Sequence, residues 1–236
     1  MMPDDITTAM LLAAGRGERM RPLTDHTPKP LLDAGGQTLI ERHIEKLVAA
    51  GFGRIIINHA HLGEQIAAAI GDGHRWGIEI CYSPEHEALE TAGGITNALD
   101  LIGSETFAVA NCDVYSEFDY AGLRAAAQRL AHDRQCVAHL VLVDNPPHNL
   151  SGDFALVGTK VASAGSGKLT FSGLAAYHRA LFASITTGQK QPLAPLLKAE
   201  AQAGRVSGEH YTGTWIDVGT PERLDALNVY LSQNKT

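Results

Sequence analysis

At 236 residues, 44% of them hydrophobic, the chain is long enough to bury a sizeable core and is predicted to form a single domain. A formal net charge of −7 argues against a nucleic-acid binder, which favours a broad basic face, and no apolar run approaches the roughly 18 residues that a membrane span needs. The start, MMPDDITT, lacks the basic region of a signal peptide, and Cys81, Cys112 and Cys136 are too widely spaced for a disulfide framework or a zinc motif, so a cytoplasmic protein is expected.

Ala9 to Ala13 is an apolar first strand. Thr38 to Ala50 reads as a helix. Ile40, Ile44, Leu47 and Val48 recur at helical spacing, Thr38 and Glu41 make a capping box, and Gly51 ends it. Arg54 to Asn58 is a β-branched strand, Leu62 to Ile70 a second helix and Ile78 to Tyr82 a third strand. Leu89 to Leu101 contains a helix entered through Gly93 and Gly94. Thr106 to Ala110 is a buried strand, Leu123 to Leu130 is helical, and Val137 to Val143 is another apolar strand. Such alternation predicts an α/β fold, a mainly parallel sheet with helices on both faces. After Asn145-Pro146-Pro147 the alternation fades, and Asp153 to Val157 and Leu169 to Tyr177 look like strands of a smaller lobe. Pro192 to Ala203 is a short helix, and Thr220 as N-cap with Pro221 behind it opens a last one.

The first strand runs into Gly15-Arg16-Gly17, followed by Arg19, Arg21 and Lys29, with only Glu18 and Asp25 opposing them. A local basic cluster in an acidic chain, beside glycines that let the backbone approach an anion, points to a polyphosphate ligand. It is not a dinucleotide fingerprint, because Met20 replaces the third glycine and Pro22 follows where a helix would have to run. Nor is it a Walker loop, since no Gly-Lys-Ser/Thr follows. His59 and His61 lie in a loop after a strand, with no third metal ligand suggested nearby.

Leu12-Ala13-Ala14-Gly15-Arg16-Gly17-Glu18-Arg19-Met20-Arg21-Pro22-Leu23-Thr24, then Thr27-Pro28-Lys29-Pro30, resembles the signature loop of the sugar-1-phosphate nucleotidyltransferases. Three more segments resemble that family. Ser83-Pro84-Glu85 through Leu89-Glu90-Thr91-Ala92-Gly93-Gly94 is similar to its base-recognition segment, Asn111-Cys112-Asp113 to its N-G-D, and Trp215-Ile216-Asp217-Val218-Gly219-Thr220 to its W-x-D-x-G-T. Cys112 and Ala92 stand where the family usually or often has glycine. Stretches such as Ile57-Asn58-His59-Ala60, Gly152-Asp153-Phe154 and Val206-Ser207-Gly208-Glu209-His210-Tyr211 resemble a UTP-using branch of the family that serves peptidoglycan recycling.

The resemblance implies a Rossmann-like mixed sheet of the nucleotide-diphospho-sugar transferase type with a small acceptor-side β lobe. The nucleotide part would cover about residues 1–145 and the sugar part about 146–236. No hexapeptide repeat is present, so no left-handed β-helix is expected. The implied substrates are UTP and a sugar-1-phosphate, the implied cofactor is Mg²⁺, and the implied state is a monomer or small homo-oligomer with no nucleic-acid or membrane partner. Arg19, Lys29 and Asp113 are implied as catalytic. Leu12, Ala13, Ala14, Gly15, Gly17, Glu18, Arg19, Lys29, Glu85, Gly93 and Asn111 are implied on the nucleotide side, Asp153, Gly173 and Asp217 on the sugar side, and Asp113 with Asp217 as metal ligands. Trp76 and Trp215 are expected to pack in the core. Other nucleotide and sugar pairs, GTP with mannose-1-phosphate or dTTP with glucose-1-phosphate, and a catalytically silent binding subunit, remain as alternatives.

Overall fold

Strand β1 (Thr8–Leu12) lies between β2 (Arg54–His59) and β4 (Thr106–Asn111), and the positions of the loops that follow it derive from this arrangement. The structure is a computed structural model describing residues 7–133 and 135–234. β1, β2, β3 (Glu79–Pro84) and β4 are mutually parallel in the order β3-β2-β1-β4. The chain reverses its direction of travel across the sheet between β1 and β4, and such a switch opens a crevice at the carboxyl ends of the strands. Leu12 is in register with Asn111 there, so the glycine loop and the Asn111-Cys112-Asp113 turn leave the sheet side by side.

The sheet continues through β9 (Thr170–His178), β6 (Ala138–Val143), β10 (Val206–Tyr211), β8 (Lys160–Ala162) and β7 (Ala155–Val157), which makes nine strands among the described residues. β9 runs antiparallel to both β4 and β6. Thus the stretch Leu169 to Tyr177 is not a strand of a smaller lobe but a central strand of the main sheet. Its Leu174–Tyr177 run is buried, as expected of a strand covered on both faces. A small second sheet is present, and it pairs β5 (Val114–Ser116) with β11 (Trp215–Asp217).

Helices cover both faces. Ile40, Ile44 and Leu47 of α1 (Leu39–Ala49), Ile66 and Ile70 of α2 (Gly63–Ile70), and Leu123, Ala126 and Leu130 of α4 (Ala121–His132) belong to one core cluster. Ile95, Ala98 and Ile102 of α3 (Glu90–Ile102) join Leu193, Leu197 and Ala201 of α5 (Leu193–Gln202) in another. The expected caps are present: Thr38 and Glu41 satisfy each other's backbone N–H at the start of α1, and Thr220 caps α6 (Pro221–Gln233). A third cluster packs Leu224 and Leu227 of α6, with Val218, against Met20 and Leu32 of the loop after β1. It thereby holds the Asp217 turn beside the glycine loop. No helix among the described residues is long and apolar enough to cross a membrane.

Candidate active site

The loop after β1 carries no α-helix, as Arg21–Pro22 predicts, and folds instead as three single 3₁₀ turns. Two of its four cations hold the loop itself. Arg16 donates to the Thr24 carbonyl at 2.8 Å and pairs with Asp25 at 3.4 Å, while Arg21 pairs with the same carboxylate at 2.7 Å. Gly17 sits at φ +67°, and a Cβ there would lie 3.0 Å from the Thr24 methyl group, so both its backbone and its space require glycine. The other two cations face the crevice. Arg19 is exposed and has no partner among the described residues. Lys29 is 8% exposed, stiffened between Pro28 and Pro30, and its Nζ donates to the Asp113 carboxylate at 3.0 Å.

A first cleft of about 490 Å³ opens at the switch point. Leu12, Ala13, Ala14, Gly15, Gly17, Glu18, Arg19, Lys29, Glu85, Asn111 and Asp113 all line it. Gly93 does not. It lies in α3 against the segment Gln189–Gln191, where a Cβ would come within 2.4 Å of the Gln189 carbonyl. The Gln191 carbonyl accepts from Ala92 and Gly93 N–H, and the Gln191 N–H donates to the Leu89 carbonyl. Lys190, between these anchored residues, is therefore held at the cleft wall.

Glu85 is buried and gives both oxygens to the protein: Oε1 accepts from Asn58 Nδ2 at 2.6 Å, and Oε2 from the Leu89 N–H at 2.8 Å. Asn58 Oδ1 in turn accepts from the Ala13 N–H at 3.0 Å. These three bonds tie the ends of β1, β2 and β3 to the start of α3. Burial pushes the Glu85 carboxyl up, against the two hydrogen bonds that favour its charged form. Cys112 lines the cleft at 2% exposure, with its side chain in the core, so a small residue other than glycine fits the turn. Burial, and secondarily Asp113, push its thiol up and leave it unreactive.

A second cleft of about 350 Å³ shares Arg19, Asn111 and Asp113 with the first. The two clefts therefore meet at Arg19, Asn111 and Asp113, and Lys29, on the wall of the first, reaches that junction through its bond to Asp113. Gly173 and Asp217 line the second cleft, and Gly173, at φ +81°, has no room for a Cβ against Asn111. Asp153 is not on its wall; the Asp153 carboxylate accepts from the Phe171 N–H at 2.9 Å and faces Asn149 at 3.3 Å. Trp215 packs partly on the core, but it also lines this cleft, and its Nε1 donates to the Ser172 carbonyl at 2.9 Å. Trp76 packs against the core, with the Arg75 guanidinium stacked 3.8 Å over its ring.

Asp113 and Asp217, distant in sequence, reach one wall because β5 pairs with β11. Asp217 is in register with Val114, and the Val218 N–H donates to the Asp113 carbonyl at 2.8 Å. Each carboxylate already faces a cation, Lys29 for Asp113 and Arg223 for Asp217, and the His148 imidazole lies 3.0 Å from Asp217. Among the described residues no group of three or more His, Cys, Asp or Glu side chains could hold a metal by itself. Two carboxylates on the wall of the second cleft nonetheless suit Mg²⁺, which binds through one or two carboxylates and completes its shell with phosphate oxygens.

A model of the nucleotidyl transferase family matches residues 8–150. The N-acetylmuramate alpha-1-phosphate uridylyltransferase of Neisseria meningitidis serogroup B is 50% identical over 220 residues, covering 92% of this chain and 94% of the relative. The enzyme of the same name from Caulobacter vibrioides is 31% identical over 234 residues, covering 95% and 97%. HddC from Yersinia pseudotuberculosis, crystallised with GMP-PN, superposes with a TM-score of 0.75 at 21% identity, covering 96% of this chain and 100% of that one.

Proposed function

The chain belongs to the nucleotidyl transferase family, and on that premise we propose that it transfers a uridylyl group from UTP to N-acetylmuramate α-1-phosphate, giving UDP-N-acetylmuramate and pyrophosphate in peptidoglycan recycling. The observation that carries this reading is 50% identity to the Neisseria enzyme across nearly the full length of both chains. Three unpaired cysteines and the use of UTP agree with a cytoplasmic location.

The chemistry accounts for the residues at the junction of the two clefts. A sugar-1-phosphate oxygen is already ionised, so the attack on the α-phosphorus needs no protein base. Catalysis then consists of holding two anions in line and neutralising charge as pyrophosphate departs. In this reading the first cleft takes UTP, with the backbone of Gly15 to Gly17 on the triphosphate. Arg19, free of protein partners among the described residues, neutralises the β- and γ-phosphates. Lys29, on the first cleft's wall and bonded to Asp113 at the junction, spans the α-phosphate and the incoming sugar phosphate. The second cleft takes the sugar, with Gly173 and Trp215 on its walls. Asp113 and Asp217 would hold Mg²⁺, which when bound supplies positive charge at the phosphates. Incubation with UTP and N-acetylmuramate α-1-phosphate, followed by mass spectrometry, tests the reading. UDP-N-acetylmuramate and one pyrophosphate per turnover are expected, and no product would refute it.

A further inference from the structure

Asn145, Asn149, Asp153 and Thr170 form one hydrogen-bond network at the second cleft, and every donor in it can be assigned. Asn145 Nδ2 donates to two backbone carbonyls, Lys168 at 2.8 Å and Leu150 at 3.2 Å. Asn145 Oδ1 is therefore the acceptor for the Thr170 hydroxyl at 2.8 Å. With its single proton directed there, the Thr170 oxygen accepts from Asn149 Nδ2 at 3.1 Å. The Asp153 carboxylate only accepts, so it is again the Asn149 NH₂ that faces it at 3.3 Å. Both Asn149 protons are thereby taken. Its Oδ1 has no partner among the described residues, and Asn149 lines the second cleft.

We propose that Asn149 Oδ1 reads the 2-acetamido N–H of the acceptor sugar, with Asp153 as the positioning residue that fixes the amide's orientation. This rests on the reading that the acceptor is an N-acetylated sugar phosphate. A hydroxyl can turn to donate or accept, so either end of an amide serves it. An N–H only donates, and needs an acceptor already in place. Turning the NH₂ away, onto Thr170 and Asp153, selects for such a group. The lactyl-bearing O3 of muramate is an ether without a proton, and the acetamido group is the sugar's one N–H.

The test compares calorimetric dissociation constants for N-acetylglucosamine-1-phosphate and 2-deoxyglucose-1-phosphate, which has no donor at C2, in wild type, Asn149→Ala, Asp153→Asn and Asp153→Ala. Wild type should prefer the acetamido sugar by about tenfold, the worth of one hydrogen bond in a partly closed site. Asn149→Ala should bring the ratio close to one while leaving the dissociation constant for UTP within about twofold. One Asp153 oxygen accepts from both Phe171 and Asn149, so Asp153→Asn keeps that acceptor and should keep the preference, whereas Asp153→Ala removes it and frees the Asn149 amide to turn. In Asp153→Ala the preference should fall although Asn149 is intact, and its rescue by Asn at the same position is an effect that loss of the carboxylate charge alone would not produce. A preference that survives Asn149→Ala or Asp153→Ala would overturn this assignment alone. Wild type binding both sugars equally would overturn the acceptor reading itself.

Discussion

Lys29 Nζ donates to the Asp113 carboxylate across 3.0 Å, joining the loop after β1 to the turn after β4 where the two clefts meet. The pair places a nearly buried cation beside an acid that faces both substrate spaces. Removing one preorganised charge donor from such a site costs about 10²–10³-fold in rate. Lys29→Ala should therefore lower kcat by that order in a steady-state pyrophosphate assay.

Arg19 gives the complementary case. It is exposed and carries no protein partner among the described residues, so Arg19→Ala should leave the unfolding midpoint close to wild type, within about 0.5 kcal/mol. The same variant should raise the KM for UTP and lower kcat. A large loss of stability in urea titration would assign Arg19 to the fold instead.

Asp113→Asn and Asp217→Asn should each abolish most activity, and the double variant should cost little more, as expected of residues acting as a unit. Mg²⁺ binding, followed by calorimetry, should be weak without nucleotide and strengthen with UTP, because phosphate oxygens complete the shell. Independent, additive losses would separate the two aspartates.

His43 predicts a stability change with pH. It is buried between α1 and β5, with Nε2 at 2.8 Å from the Val114 carbonyl and Nδ1 at 2.7 Å from the Tyr120 hydroxyl. A carbonyl only accepts, so Nε2 carries the proton and Nδ1 accepts from Tyr120. Burial drives the pKa down from 6.5 to about 4. The unfolded chain then binds a proton near pH 6.5 that the folded chain refuses until about pH 4. His43 thus contributes stability that is complete above pH 6.5 and is lost as pH falls towards 4, by about 3 kcal/mol in all. His43→Gln can make both hydrogen bonds without titrating. Urea unfolding at several pH values should show a flatter profile between pH 6.5 and 4 for that variant.

The parallel half of the sheet was legible in the sequence because each strand is a short apolar run, and the starts of α1 and α6 were legible from their caps, Thr38 and Thr220. The glycine loop was legible because its residues act through positions close in the chain. Placement of β9 was not, since an antiparallel central strand and a strand of a separate lobe have the same local pattern, and only its neighbours β4 and β6 decide. Asn58 stands at the end of a β-branched run, a visible signal of a strand end, but its partners Ala13 and Glu85 are remote. Lys190, His148 and Asn149 carried no local signal, since each owes its position to contacts with distant segments. Gly93 resembled a ligand-side glycine because close approach by a backbone carbonyl and close approach by a nucleotide place the same demand on a residue.

Lys190 can be tested through the glycine that holds its segment. Gly93→Ala would put a methyl group 2.4 Å from the Gln189 carbonyl, so the segment must move. Gly93→Ala and Lys190→Ala should both raise the KM for UTP, with kcat less affected, because each removes contact from the same wall of the first cleft. Unchanged UTP kinetics in Lys190→Ala would place that side chain outside the bound nucleotide's reach.

The most direct test of the substrate assignment is a matrix of kcat/KM values, crossing UTP, GTP and dTTP with the 1-phosphates of N-acetylmuramate, N-acetylglucosamine, mannose and glucose. The pair UTP and N-acetylmuramate α-1-phosphate should give the highest value. A higher value for GTP with mannose-1-phosphate, for dTTP with glucose-1-phosphate, or for UTP with N-acetylglucosamine-1-phosphate would contradict it.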